Sequence, residues 1–68
     1  MKGRNDVMPG DVGRRVSFQY ELPNGYLGEV VGTLEWFDDA AQTYVVKDRN
    51  DKLHRVPLRG VRFGKIVQ

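Results

Sequence analysis

Several residue types that carry chemistry are scarce or absent in this chain. Its 68 residues include no cysteine, which excludes disulfides and thiolate metal sites. His54 is the only histidine and Ser17 the only serine, and neither has an evident partner for nucleophilic or acid–base catalysis. No glycine-rich phosphate loop or metal-ligand spacing is present either. We therefore expect a protein that is not an enzyme and has no cofactor, metal or small-molecule substrate.

The chain also lacks the sequence features of membrane and secreted proteins, and it is short. No run approaches the roughly 20 apolar residues of a membrane helix, and the first residues lack the apolar core of a signal peptide. The lack of cysteine is compatible with a reducing compartment, so a cytoplasmic protein without a membrane partner is expected. A chain of 68 residues allows one domain. A chain this short buries only about 60% of its unfolded surface.

The charge is unevenly distributed along the chain. Residues 1–39 carry four basic and seven acidic side chains, whereas residues 40–68 carry seven basic and two acidic ones. A basic half can attract a polyanion. It can equally be neutralised by the acidic half of the same fold, and a net charge of +2 leaves both interpretations open.

The first part of the chain divides into a leader and a strand. Residues 1–10 contain little apolar surface and several breakers, which predicts a flexible leader before a domain of residues 11–68. Residues 12–22 then alternate strictly, with Val16, Phe18, Tyr20 and Leu22 on one face and polar residues on the other. This period of two is typical of a half-buried strand.

Turn signals separate four further predicted strands. Asn24-Gly25 indicates a tight hairpin turn, after which a long strand runs to about Asp38, with Trp36 expected to point inward and Gly32 to allow a bend. Shorter strands are predicted at residues 43–47, 53–56 and 61–67. The core predicted from these alternations consists of Val16, Phe18, Tyr20, Val30, Leu34, Val46, Val56 and Val61.

The last two strands meet at a distinctive junction. Pro57 cannot donate to a sheet ladder, so it must end its strand or lie on an edge. Residues 58–60 are predicted to form one helical turn, with Gly60 easing the change of direction. Five strands with such a turn before the last one predict an all-β fold, a small five-stranded SH3-like barrel.

Three segments carry a resemblance to a known family. GRRVSFQYELPNG (residues 13–25), GEVVGTL (28–34) and VPLRGV (56–61) resemble strands and turns of the SH3-like domain that precedes the acetyltransferase domain in some actinobacterial GNAT proteins. The chain contains no acetyltransferase domain, so no acetyl-CoA site is carried over. The resemblance implies a free-standing accessory barrel that binds proteins or nucleic acids, of the kind that phage and bacterial genomes encode.

Two kinds of partner remain open for such a binding module. A protein partner or a second copy of the chain would use exposed aromatic side chains, for which the candidates are Tyr26 and the outward member of the pair Trp36-Phe37. Adjacent strand residues face opposite sides, so Trp36 and Phe37 cannot both be inside. A nucleic-acid partner would use basic residues near aromatics; the candidates are Arg49, Lys52, Arg55, Arg59, Arg62 and Lys65. Protein recognition is preferred, with nucleic-acid binding as the alternative.

Overall fold

The alternating runs of the sequence form a single sheet. The computed structural model describes residues 3–68, and within them the fold is all-β, with no helix longer than one 3-10 turn. The predicted all-β class is confirmed. The strands, numbered in chain order, are β1 Arg4–Asn5, β2 Arg15–Glu21, β3 Leu27–Asp38, β4 Thr43–Lys47, β5 Leu53–Pro57 and β6 Val61–Ile66.

The sheet is open, with the strand order β1-β6-β2-β3-β4-β5. β1 and β6 are parallel, and the other neighbouring strands are antiparallel. The five predicted strands correspond to β2 to β6, so β1 is an addition to them. β2 begins at Arg15 rather than at Val12, because Gly13 has a φ of 91° and the chain turns there. A left-handed residue of this kind interrupts a strand.

One face of the sheet carries the core. Phe18 and Tyr44 lie at its centre, with ring centroids 4.7 Å apart. All the residues predicted for the core are buried except Val61, which is only partly buried because it is the first residue of β6 and follows directly on a turn. The core cluster consists of Val7, Val16, Phe18, Tyr20, Val30, Leu34, Phe37, Tyr44, Val46 and Val56.

Two glycines permit close approaches that no other residue would allow. A Cβ at Gly32 would collide with the carbonyl oxygen of Lys47, at the point where β4 leaves the sheet. A Cβ at Gly64 would collide with the side chains of Asn5 and Phe18. Gly32 therefore lets the backbones of β3 and β4 approach each other closely, and the bend expected at Gly32 stays a prediction.

The described part of the predicted leader is in contact with the sheet. Arg4 pairs with Phe63 and Asn5 with Gly64, and Val7 is 2% exposed within the core. Neither feature is predictable from the sequence, because a two-residue strand and one apolar side chain produce no periodicity. Met1 and Lys2, the first residues of that leader, lie outside the described residues.

The junction between β5 and β6 contains a 3-10 turn at Leu58–Gly60, where the sequence predicts one helical turn. Pro57 is the last residue of β5, and β5 is an edge strand, so the missing N–H of the proline costs the sheet little. Gly60 does not have a positive φ. Other residues could adopt the backbone conformation of Gly60. The conformational freedom predicted to be needed there is therefore not required for this turn.

Candidate binding surface

A β-bulge in β3 decides which aromatic side chain faces outward. Leu34 pairs with Val46 and Trp36 pairs with Val45, so Glu35 is an extra residue on β3. The extra residue shifts the alternation by one position. Trp36 therefore lies on the outer face, the side of the sheet opposite the core, and is 52% exposed. The inward orientation predicted for Trp36 is wrong for this reason.

Phe37 takes the inward position next to the bulge. Its ring lies 5.0 Å from that of Tyr44 in an edge-to-face arrangement, a favourable geometry for two aromatic rings. Phe37 belongs to the core cluster. It is therefore unavailable to a partner, although the sequence made it one of two candidates for an exposed anchor.

Trp36 is the centre of a small apolar area on the outer face. In register, Trp36 pairs with Val45, and Val45 pairs with Arg55 on β5. Val45 is only 2% exposed although it is outside the core cluster, because it lies between these two large neighbours. Leu53, two residues from Arg55 on the same face of β5, is also exposed. We call Trp36, Val45, Leu53 and Arg55 the Trp36 surface.

An ion pair fixes the edge of this surface. Nη2 of Arg55 donates to Oδ2 of Asp38 at 3.0 Å, and Oδ1 of Asp38 accepts from the backbone N–H of Ala41 at 3.2 Å. The hydrogen bond from Arg55, followed by that from Ala41, lowers the pKa of Asp38 below its usual value. Arg55 is thus neutralised by a neighbour.

Tyr26, the other predicted interface residue, lies elsewhere. It is 74% exposed and directly precedes β3, at the end of that strand opposite to Trp36. Its backbone N–H donates to Oδ1 of Asn24 at 3.0 Å within the hairpin turn. The structure therefore does not combine Tyr26 and Trp36 into one patch.

The six basic candidates for a nucleic-acid site are also dispersed. Arg62 donates to Glu21 at 3.3 Å, so it is paired in the same way as Arg55. Arg49 and Lys52 lie in the turn between β4 and β5, Arg59 lies in the 3-10 turn, and Lys65 lies on β6. Arg49, Lys65, Arg62 and Arg59 each line a different cleft.

A different basic cluster, missed by the sequence analysis, surrounds the turn between β4 and β5. A cleft of about 510 Å³ is lined by Arg15, Lys47 and Arg49 together with Val31, Gly32, Thr33, Asp48, Asn50 and Asp51. Arg15 precedes Arg49 by more than thirty positions in the chain. Only the register between β2, β3 and β4 brings them together, and no local pattern could have indicated it. We call this site the basic cleft.

Asp48 organises the turn beside this cleft. Its Oδ1 accepts from the backbone N–H groups of Asn50 at 2.8 Å and Lys52 at 3.0 Å, and its Oδ2 lies 2.7 Å from Nε2 of His54. The hydrogen bond with His54, then that from Lys52, lowers the pKa of Asp48 below its usual value. His54 thus serves a structural contact.

The only serine of the chain is distant from the Asp48–His54 pair. This residue, Ser17, is on the outer face of β2, separated from β5 by two strands. Among residues 3–68, no group of three or more potential metal ligands converges. The adjacent carboxylates of Asp38 and Asp39 lie at the end of β3, where Asp38 accepts hydrogen bonds from Arg55 and Ala41.

Comparisons of the chain with protein-family models, with curated proteins and with solved structures find no match. Within the described part of the chain, no helix has the length and apolarity needed to cross a bilayer.

Proposed function

We propose that this protein is a non-catalytic binding module built on a five-stranded SH3-like barrel. Several features support the barrel: β6 returns beside β2, the long bulged β3 pairs with both β2 and β4, and a 3-10 turn joins β5 to β6. In this proposal β2 to β6 form the barrel and β1 extends it by one short strand.

The proposed partner is a protein, bound through the Trp36 surface. The observation that carries this proposal is the position of Trp36: a large aromatic ring, half exposed, on the part of β3 that pairs with β4. Monomeric proteins rarely leave large apolar side chains grouped on a sheet face, and tryptophan is enriched among residues that dominate binding energy. Held by the sheet, the ring loses little conformational freedom on binding.

Nucleic acid is the less favoured partner. Arg55 and Arg62 form ion pairs with Asp38 and Glu21, so a phosphate would have to compete with carboxylates already in place. The remaining candidates, Arg49, Lys52, Arg59 and Lys65, are distributed around the molecule. Binding along a phosphate backbone depends on several cations acting together, and this dispersion argues for a protein partner.

The test is affinity capture with matched variants. Immobilised wild-type protein is exposed to a lysate of the source cells, with and without nuclease, beside Trp36→Ala and Tyr26→Ala. We expect a protein that is retained after nuclease treatment and by the Tyr26→Ala variant, but not by Trp36→Ala. Trp36→Ala should reduce the binding free energy by about 2 kcal/mol or more. Tyr26→Ala is the matched control, because it removes an exposed aromatic ring from the other end of β3.

Two results would contradict the proposal. Retention that disappears on nuclease treatment would identify nucleic acid as the partner. Equal losses with Trp36→Ala and Tyr26→Ala would show that binding depends on exposed aromatic side chains in general. If the retained protein is the chain itself, the partner is a second copy, which sedimentation of the purified protein would show as a concentration-dependent mass.

A further inference from the structure

The basic cleft is adjacent to the Trp36 surface on the same face of the sheet. In register, Arg15 pairs with Thr33, Thr33 with Lys47, and Lys47 with Leu53, so this row crosses four strands. The row of Trp36, Val45 and Arg55 comes next along the strands, about 7 Å away. Basic and apolar side chains are therefore placed one row apart.

The cleft is lined by three cations and two carboxylates, Asp48 and Asp51, and has a net charge of +1. Arg15 and Arg49 have no carboxylate partner within residues 3–68. Lys47 is 4.0 Å from Asp51, at the outer limit of an ion pair, and the side chain of Asp51 is 87% exposed. The carboxylate of Asp48 is already engaged by its own turn and by His54.

The turn that presents Arg49 is preorganised. Besides the side-chain bonds of Asp48, the backbone N–H of Asp48 donates to the carbonyl oxygen of Lys52 at 3.0 Å, and that of Asp51 to the carbonyl oxygen of Asp48 at 3.0 Å. A loop held in this way loses little entropy when a ligand binds. An anion entering the cleft would meet cations from β2, from β4 and from this turn.

We propose that the basic cleft binds the carboxylates of an acidic segment of the protein partner, while an apolar side chain of the same segment contacts Trp36. This inference rests on the proposed function and names the class of ligand. The row spacing suits an extended peptide, whose residues two positions apart are separated by about 7 Å. The expected ligand thus has Asp or Glu about two positions from a leucine or an aromatic residue.

The surroundings favour a peptide over a polyphosphate. A nucleic acid carries a negative charge on every unit, and a strand running from the cleft to Trp36 would pass Glu35, an exposed acidic residue between Thr33 and Trp36 on β3. A peptide can place acidic residues over the cleft and an apolar residue over Trp36. The charges on the surface therefore complement a mixed sequence.

The experiment begins with selection from a random library of displayed twelve-residue peptides on the wild-type protein. We expect the enriched peptides to contain an excess of Asp and Glu near an apolar residue. The strongest peptide is then synthesised in its original form and with every Asp and Glu replaced by Asn and Gln. Affinities are measured at two salt concentrations from the emission of Trp36, the only tryptophan.

Arg49→Gln and Arg59→Gln are the matched variants, because each removes one arginine from a turn and only Arg49 lines the cleft. We expect Arg49→Gln to lower the affinity for the acidic peptide about threefold, as for the loss of one partly exposed charge pair. The dependence of this affinity on salt should also decrease. Arg59→Gln should change neither. The amidated peptide should bind the wild type more weakly than the original.

Several outcomes overturn the inference. The first two are a selection without acidic enrichment and an amidated peptide that binds the wild type as tightly as the original. The third is an equal effect of Arg49→Gln and Arg59→Gln on the affinity for the acidic peptide. The fourth is single-stranded oligothymidylate that binds more tightly than the acidic peptide and loses this binding with Arg49→Gln. Failure of this inference can be distinguished from failure of the proposed function. If lysate capture still depends on Trp36 but not on Arg49, the protein-binding surface stands and the acidic ligand does not.

Discussion

Phe18 is the residue on which the core depends most directly. Its side chain is fully buried, packs at a tilt against the ring of Tyr44 and fills the space left by the missing side chain of Gly64. We expect Phe18→Ala to lower the free energy of unfolding by about 3–5 kcal/mol, because it removes apolar contacts and leaves a cavity. Urea unfolding measures this. Ser17→Ala, on the outer face of the same strand, is the control, and an unchanged midpoint for Phe18→Ala would contradict the core assignment.

The hydroxyl of Tyr44 links the N-terminal segment to the core. It donates to the carbonyl oxygen of Val7 at 2.8 Å and accepts from Nδ2 of Asn5 at 3.0 Å. Tyr44→Phe keeps the ring but leaves both groups without this partner, so we expect a loss of about 1–3 kcal/mol in thermal or urea unfolding. Tyr26→Phe removes an exposed hydroxyl and should have no effect. Equal stability of the two variants would show that β1 and Val7 are not held by this contact.

At the scale of the element, the bulge in β3 can be removed by design. Deleting Glu35 would leave Leu34 inward, Trp36 outward and Phe37 inward in simple alternation. We therefore expect the deletion variant to fold and to keep the solvent-exposed emission of Trp36. Deletion of Thr33, in the regular part of the strand, should unfold the protein because it reverses the faces of its neighbours. A blue-shifted Trp36 in the Glu35 deletion would contradict the bulge assignment.

The turn between β4 and β5 predicts a pH dependence. The pKa of Asp48 is lowered in the folded protein by His54 and Lys52, so its carboxylate stabilises the fold above its usual pKa of 3.8 and loses this effect as the pH falls through the lower folded value. Asp48→Asn should therefore be less stable than the wild type near neutrality, and the difference should shrink below about pH 4. Urea unfolding from pH 2 to 6 tests this. Asp39→Asn, in the neighbouring hairpin, is the control, and a constant difference over the whole range would contradict the assigned role of Asp48.

The predictable elements are those whose signal is local. Val16, Phe18 and Tyr20 alternate without interruption, and their burial follows from the sequence. The orientation of Trp36 was not predictable, because a bulge is a property of the pairing between β3 and β4 and leaves no mark on β3 alone. The same holds for the basic cleft, since Arg15 and Arg49 meet only through strand register, and for Val7, whose burial depends on β6 and Tyr44.

At the scale of the whole molecule, the uneven charge of the sequence is partly balanced in the fold. Arg55 of the basic half pairs with Asp38 of the acidic half, and Arg62 pairs with Glu21. Of the two interpretations of this asymmetry, mutual neutralisation accounts for these residues. Among residues 3–68, the basic side chains without an ion pair are Arg15 and Arg49 at the basic cleft and Lys52, Arg59 and Lys65 outside it.

The central claim, that the Trp36 surface holds a protein partner, is tested most directly by a probe on Trp36 itself. Because the chain has one tryptophan, labelling with 5-fluorotryptophan gives a single fluorine resonance. In the free protein, that resonance should be broadened by a soluble paramagnetic agent, since the ring is half exposed. On addition of the partner captured from lysate, it should shift and become protected from broadening. A partner that binds while the resonance keeps both its position and its sensitivity to the agent would contradict the proposal.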